Sequence, residues 1–345
     1  MKSNLMGIPA AAGAACLLTG GYLYHMALDA KTDKSPLLKP SPDDIQPDNQ
    51  ALLRHRQALE ESSRLTRQYQ DRYLYSFDNL KLHAYLCMNG KSGNPKQTDT
   101  HIGTGNHIGT GNQTGTGSQT GTGSHWVILV HGYADSGLWF HEEALAFYRQ
   151  GFHLLLPDAR GHGKSQGTYI GMGWHDRLDI KEWICWLVRQ YPDSEIVLYG
   201  VSMGAAAVMM AAGEKLPSNV KAAVEDCGYT SAWSVLSYQM KSQFHLPAFP
   251  FLYCADFVTR IRAGYGMKEA DALKCVAGTR LPMFFIHGTE DRFVPFEMIK
   301  ELYDACRSEK ECLAVAGAAH VQAALVGGAE YWDRVFRFVD RYLER

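Results

Sequence analysis

Residues 194–215 read SEIVLYGVSMGAAAVMMAAGEK, and this stretch decides the fold. Residues 194–198 form a short apolar run of the buried-strand type, and 202–215 are Ala-rich and helical in pattern. Between them lies Gly200-Val201-Ser202-Met203-Gly204, a G-x-S-x-G. On a strand-to-helix turn this spacing holds a serine on strained backbone at the mouth of a cleft. Gly200 and Gly204 leave space where a side chain would strike the neighbouring strand or helix. The hydroxyl then projects at a helix N-terminus, where the dipole favours developing negative charge. A serine before a helix can also serve as a plain N-cap, but the strand–turn–helix setting favours a nucleophile.

A serine of ordinary pKa is a weak nucleophile without a base, and the base needs an acid to orient it. Residues 313–315 read as a strand, and the small-residue loop Ala316-Gly317-Ala318-Ala319 after it ends in His320. The acid is expected in residues 287–295, HGTEDRFVP, where Asp291 stands at a strand-end turn before a helix. Asp226, ending the strand after the nucleophile, and Glu290, beside Asp291, are rival carboxylates. Ser202, Asp291, His320 is the chain order nucleophile, acid, base. His131, His162 and His287 sit beside glycines in turns and read as loop hydrogen-bonding residues. An oxyanion needs two preorganised N–H donors. Met203, directly after the nucleophile, is one, and Tyr133, after the strand ending in His131-Gly132, is the other.

Apolar runs at 126–130, 152–156, 220–224, 283–286 and 312–315 alternate with helical patterns at 142–150, 174–191, 296–306 and 331–343. That alternation predicts a mostly parallel sheet covered by helices on both faces. Residues 73–77 and 80–88 read as a hairpin around Asp78-Asn79. A length of 345 residues suggests two domains, and 46% hydrophobic with 20% charged residues excludes a disordered chain or a small disulfide scaffold. Net charge is −2, so no positive field speaks for nucleic acid. None of the eight cysteines forms a C-x-x-C pair, and they read as buried free thiols. No pattern calls for a metal or a cofactor.

Residues 5–28 carry no charged side chain, and roughly 20 apolar residues span a bilayer. Residues 1–30 are therefore expected to be a membrane anchor with the catalytic domain extracytoplasmic. A cleaved signal of a secreted protein and a buried helix of a cytoplasmic one are the alternatives. A linker and amphipathic helix fill 31–71, and 72–345 make one domain. Within it, 101–124 are four tandem hexapeptides, HIGTGN twice and QTGTGS twice, with too little apolar surface to fold and so expected to be a disordered loop. Residues 229–280, rich in Trp, Tyr and Phe, are too long for a simple crossover and are expected to form a helical cap. Without the anchor, linker and repeats, about 250 residues remain, the size of one large α/β domain.

Over 72–345 the chain resembles the α/β-hydrolase superfamily. The resemblance rests on His131-Gly132-Tyr133, the loop DARGHGKS at 158–165, Gly200 to Gly204, His287 to Pro295 and His320, all in family order. Among its members the chain is similar to bacterial membrane-anchored single-domain serine hydrolases. The resemblance implies structural roles for Asp158 and His162 and a triad of Ser202, Asp291 and His320. The expected function is cleavage of carboxylic esters, on a small-molecule or lipid-like substrate, through an acyl-enzyme. A peptidase or amidase of the same fold, or a non-catalytic binding protein, is the alternative. The sequence assigns no substrate-binding residues and no oligomeric state.

Overall fold

The computed structural model describes residues 7–35, 37, 38, 49–90 and 124–344. They build an eight-stranded sheet of β1 (Gln70–Tyr75), β2 (Lys81–Cys87), β3 (Ser124–Val130), β4 (His153–Asp158), β5 (Ser194–Val201), β6 (Val220–Asp226), β7 (Met283–Gly288) and β8 (Lys310–Val315). Its spatial order is β1-β2-β4-β3-β5-β6-β7-β8. The hairpin β1–β2 pairs antiparallel onto β4, and β3 to β8 run parallel. Alternate residues serve opposite faces. Trp126, Ile128 and Val130 enter one apolar core, while Val127 and Leu129 enter the other. A sheet buried on both sides demands the continuous apolar strands seen in the sequence.

Ten helices lie among the described residues: α1 (Gly7–Ala27), α2 (Asn49–Leu65), α3 (Glu142–Arg149), α4 (Asp176–Gln190), α5 (Met203–Ala212), α6 (Ala232–Phe244), α7 (Phe251–Ala263), α8 (Ala272–Gly278), α9 (Glu297–Ala305) and α10 (Ala323–Val339). The last begins earlier than the 331–343 pattern suggests and is kinked at Gly328, whose φ of 53° is not helical. Helices α6, α7 and α8 fill the interval between β6 and β7. The chain leaves β3 toward β4 on one side and returns to β5 on the other, a switch point that opens a crevice at the carboxyl ends of the strands. The hexapeptide repeats lie outside the described residues except for Ser124, the first residue of β3.

The membrane anchor expected at the N-terminus is corrected here. No helix among the described residues is long and apolar enough to cross a membrane. Helix α1 draws its apolar character from Ala and Gly, which bring little surface, and dilutes it with Thr19, Tyr22, Tyr24 and His25. It lies along α7 instead. Gly20 faces the Cys254 carbonyl so closely that a Cβ would collide with it, and Tyr24 and the following Leu28 are buried in the core. Its C-terminal end is also fastened. The buried Lys34 ammonium donates to the carbonyls of Met26 and Asp29 at 2.8 and 2.7 Å, a cation meeting the negative end of a helix. The apolar surface read as bilayer-facing is thus in part an intramolecular packing face. With the anchor goes the expectation of a membrane-anchored, extracytoplasmic domain.

Candidate active site

Four strand ends converge on one point. Ser202 follows β5 with φ 57° and ψ −118°, a left-handed conformation that costs an ordinary residue roughly 1–3 kcal/mol. Its surroundings hold it there. Ser202 N–H donates to Asp226 O at 2.8 Å, and the start of α5 is pressed onto β3. A Cβ on Gly204 would overlap the Val130 and His131 carbonyls, and one on Gly200 would overlap Gly204. The two glycines are therefore required by close approach of β3, β5 and α5.

The other predicted members arrive from β7 and β8. His320 lies in the loop after β8, and its Nε2 is 2.9 Å from Ser202 Oγ. Its Nδ1 is 2.7 Å from Asp291 Oδ2. Asp291 Oδ1 accepts the N–H groups of Phe293 and Val294 at 2.9 and 2.8 Å, which fixes the carboxylate plane. Burial works against the Asp291 charge, but His320 and His287 outweigh it and hold the carboxyl well below the usual carboxylate range. The Phe293 ring stacks on His320 at 4.8 Å, and Gln239 of α6 donates to the Phe293 carbonyl.

The rival carboxylates are engaged elsewhere or absent from the line. Asp226 accepts Tyr331 O–H at 2.7 Å, and burial pushes its pKa up to about 6. The imidazole Nδ1 meets Asp291, not Glu290. His287 was read only as a loop residue. Besides the Val294 carbonyl at 3.0 Å, its Nε2 reaches Asp291 Oδ2 at 3.1 Å, so Asp291 stands between two imidazoles. The i, i+4 spacing of His287 and Asp291 was the available signal.

Gly132 faces Ser202, a Cβ there standing 3.5 Å from Ser202 Cβ. Among the described residues, neither the Tyr133 nor the Met203 N–H has a protein acceptor, and both residues line the same cavity as Ser202. Two neutral histidines clamp the loop carrying Tyr133. His131 Nε2 accepts Ala159 N–H at 2.9 Å while its Nδ1 donates to Gly132 O, and His162 Nε2 accepts Ala134 N–H at 3.2 Å. Burial and the neighbouring His162 push the His131 pKa down to about 3, which keeps that ring uncharged. Asp158 accepts from Gly137 N–H, Lys164 N–H and His83, all at 2.8 Å, and braces the adjoining loops.

Cys227, Asp291 and His320 offer ligand atoms within 4.8 Å of one another. Burial raises the Cys227 thiol well above its usual range, and Asp291 and His320 already bond each other. The three fit the hydrogen-bonded serine site better than a metal centre.

A family model described as alpha/beta hydrolase fold matches residues 125–251. The Pyrococcus furiosus esterase Pf2001 superposes with a TM-score of 0.58 and 25% identity, over 81% of this chain and 95% of that one. The chain has the α/β-hydrolase fold. The same fold is shared with Pyrococcus horikoshii acylaminoacyl peptidase, at a TM-score of 0.54 and 14% identity over 81% of this chain and 42% of that one. In sequence the chain is 25% identical over 215 residues to the Bacillus subtilis (strain 168) protein named uncharacterized protein YqkD, covering 62% of this chain and 70% of that one. Among curated relatives that it matches, this chain spans from 52% to 70% of their length.

Proposed function

We propose that the protein is a serine hydrolase that cleaves carboxylic esters. The observation that carries this reading is the line Ser202 Oγ–His320 Nε2, His320 Nδ1–Asp291 Oδ2, at 2.9 and 2.7 Å, beside an apolar cavity. In this reading His320 Nε2 takes the Ser202 proton as Oγ attacks the ester carbonyl carbon. Asp291 holds the imidazole in the tautomer that accepts at Nε2 and stabilises the imidazolium that forms. The carbonyl oxygen, now negative, accepts from the N–H groups of Tyr133 and Met203, each donor contributing about 3 kcal/mol to the transition state. Collapse of the tetrahedral intermediate breaks the bond to the alcohol oxygen, which leaves with the proton from His320. Water then attacks the acyl-enzyme, gives its proton to His320, and Ser202 recovers that proton as the acid departs. Residues 229–280 act as the cap that dries the cleft.

A fluorophosphonate probe tests the mechanism, alongside p-nitrophenyl esters and peptide anilides as substrates. The wild type should label and turn over the esters in preference to the anilides. Ser202→Ala should not label, with kcat lowered about 10⁶-fold. Equal labelling of both proteins, or faster anilide than ester cleavage, would refute the proposal.

A further inference from the structure

Next to Ser202 lies a cavity of about 230 Å³. Among the described residues no charged side chain lines it, and one of its walls comes from outside the sheet-and-cap framework: Leu23 and Met26 of α1 line it together with Met240 of α6 and Leu252 of α7. Polar contacts fasten this wall at the C-terminal end of α1. Tyr133 O–H donates to the Ala27 carbonyl at 2.6 Å, which joins the last turn of α1 to the loop carrying one proposed oxyanion donor. Asp29 bridges to Tyr169, and Lys34 closes the helix end.

Ser202, Met203 and Tyr133 all border the cavity, whereas His320 does not and keeps a partly solvent-exposed side chain. An ester bound for attack must turn its leaving oxygen toward the imidazole that protonates it. That leaves the acyl side to point the opposite way, into the cavity.

Resting on the serine-hydrolase reading, we infer that α1 is the wall of an acyl pocket, and that the substrates are esters of unbranched medium- to long-chain fatty acids. Leu23 and Met26 set the depth of the pocket, and the alcohol portion leaves on the open side of His320. Met172, Met240 and Met267 complete the lining with unbranched, deformable thioethers suited to a flexible chain. A helix that the sequence presents as a membrane segment thus contributes apolar surface to a single lipid chain.

The test is a chain-length profile with p-nitrophenyl acetate, butyrate, octanoate and palmitate. In the wild type, kcat/KM should rise from acetate to octanoate. Met26→Trp should lower the octanoate-to-acetate ratio by at least about tenfold, since a pocket discriminates at that level for changes of even one methylene. Labelling of Ser202 by a methyl fluorophosphonate serves as the check that the variant is folded. If the larger side chain unfolds the protein, Met26→Ala should shift the optimum toward palmitate instead. Binding provides a readout independent of turnover: a fluorescent unbranched polyene fatty acid should bind Ser202→Ala, and Met26→Trp in that background should weaken it at least about tenfold. A folded Met26→Trp with an unaltered profile and unaltered fatty-acid binding would overturn the inference while leaving the hydrolase reading intact. Fatty-acid binding without ester turnover or labelling would overturn the hydrolase reading and leave the pocket.

Discussion

The loops at the carboxyl ends of β3, β5, β7 and β8 and the helical wall of α1, α6 and α7 meet at Ser202, yet different forces hold them. On the sheet side Ser202, His320 and Asp291 are held by backbone contacts and hydrogen bonds. Asp291 takes two amides and two imidazoles, and Gly204 is pressed against β3. On the helical side the surfaces are apolar and adaptable, with Lys34 and Tyr133 as the polar fastenings of α1. Chemistry demands fixed geometry, because a misplaced base or donor forfeits the transition state. Selecting an acyl chain needs only volume and apolarity, which many side chains supply.

The difference can be broken first at the acid. Asp291→Asn should lower kcat about 10⁴-fold by presenting the wrong partner to His320 Nδ1. Asp226→Asn, a change to the carboxylate held by Tyr331, should cost less than about tenfold. Equal losses in steady-state assays would mean that the two carboxylates share the role.

A smaller effect separates the two glycine contacts. Gly204→Ala forces α5 away from the carbonyls of Val130 in β3 and His131 just after it, and should destabilise the fold by about 3 kcal/mol in urea unfolding. Gly20→Ala meets the Cys254 carbonyl and Val258, a similar clash. There α1 can yield, and Ala gains roughly 1 kcal/mol of helix propensity over Gly, so the net loss should be about 1 kcal/mol. A Gly20→Ala cost as large as that of Gly204→Ala would show the wall to be as rigid as the sheet.

The last effect is electrostatic and is read as a slope with pH. Glu225, wholly buried at the end of β6, has its pKa pushed by burial from 4.5 up to about 8. A folded pKa above the unfolded one stabilises fully below about 4.5, and that contribution is lost as pH rises toward 8. Thermal stability should therefore fall across this range, and Glu225→Gln should flatten part of the fall. Glu143, likewise pushed up to about 8 by burial, supplies a further part of the slope. No charged side chain among the described residues lines the cavity, so octanoate-to-acetate preference should stay constant over the same pH range. A Glu225→Gln protein with an undiminished slope would remove Glu225 from this account.

Much of the sheet side was readable in advance. Gly200-Val201-Ser202-Met203-Gly204 identified the turn, the apolar runs marked the parallel strands, and His320 emerged from its small-residue loop. These are local signals with a steric cause, so they survive without knowledge of distant partners. Asp291 was the acid expected from the sequence, with Asp226 and Glu290 as rival carboxylates. The contacts that bear on this expectation, Tyr331 of α10 on Asp226 and His320 Nδ1 on Asp291, join segments far apart in the chain. The histidine clamp beneath Tyr133 was seen only in outline, as loop residues beside glycines.

Helix α1 marks the other limit. Composition reports that residues 5–28 are uncharged and apolar, and that property suits a bilayer, a core or a partner helix equally. What separates them is whether a complementary surface exists, and here that surface is α7, with Gly20 against Cys254 and a lysine closing the helix end. The local order of strands, turns and reactive side chains is written into short stretches of chain because backbone sterics act over a few residues. The docking of α1, and with it the shape of the cavity beside Ser202, comes from contacts between segments far apart in the chain, which no local pattern encodes.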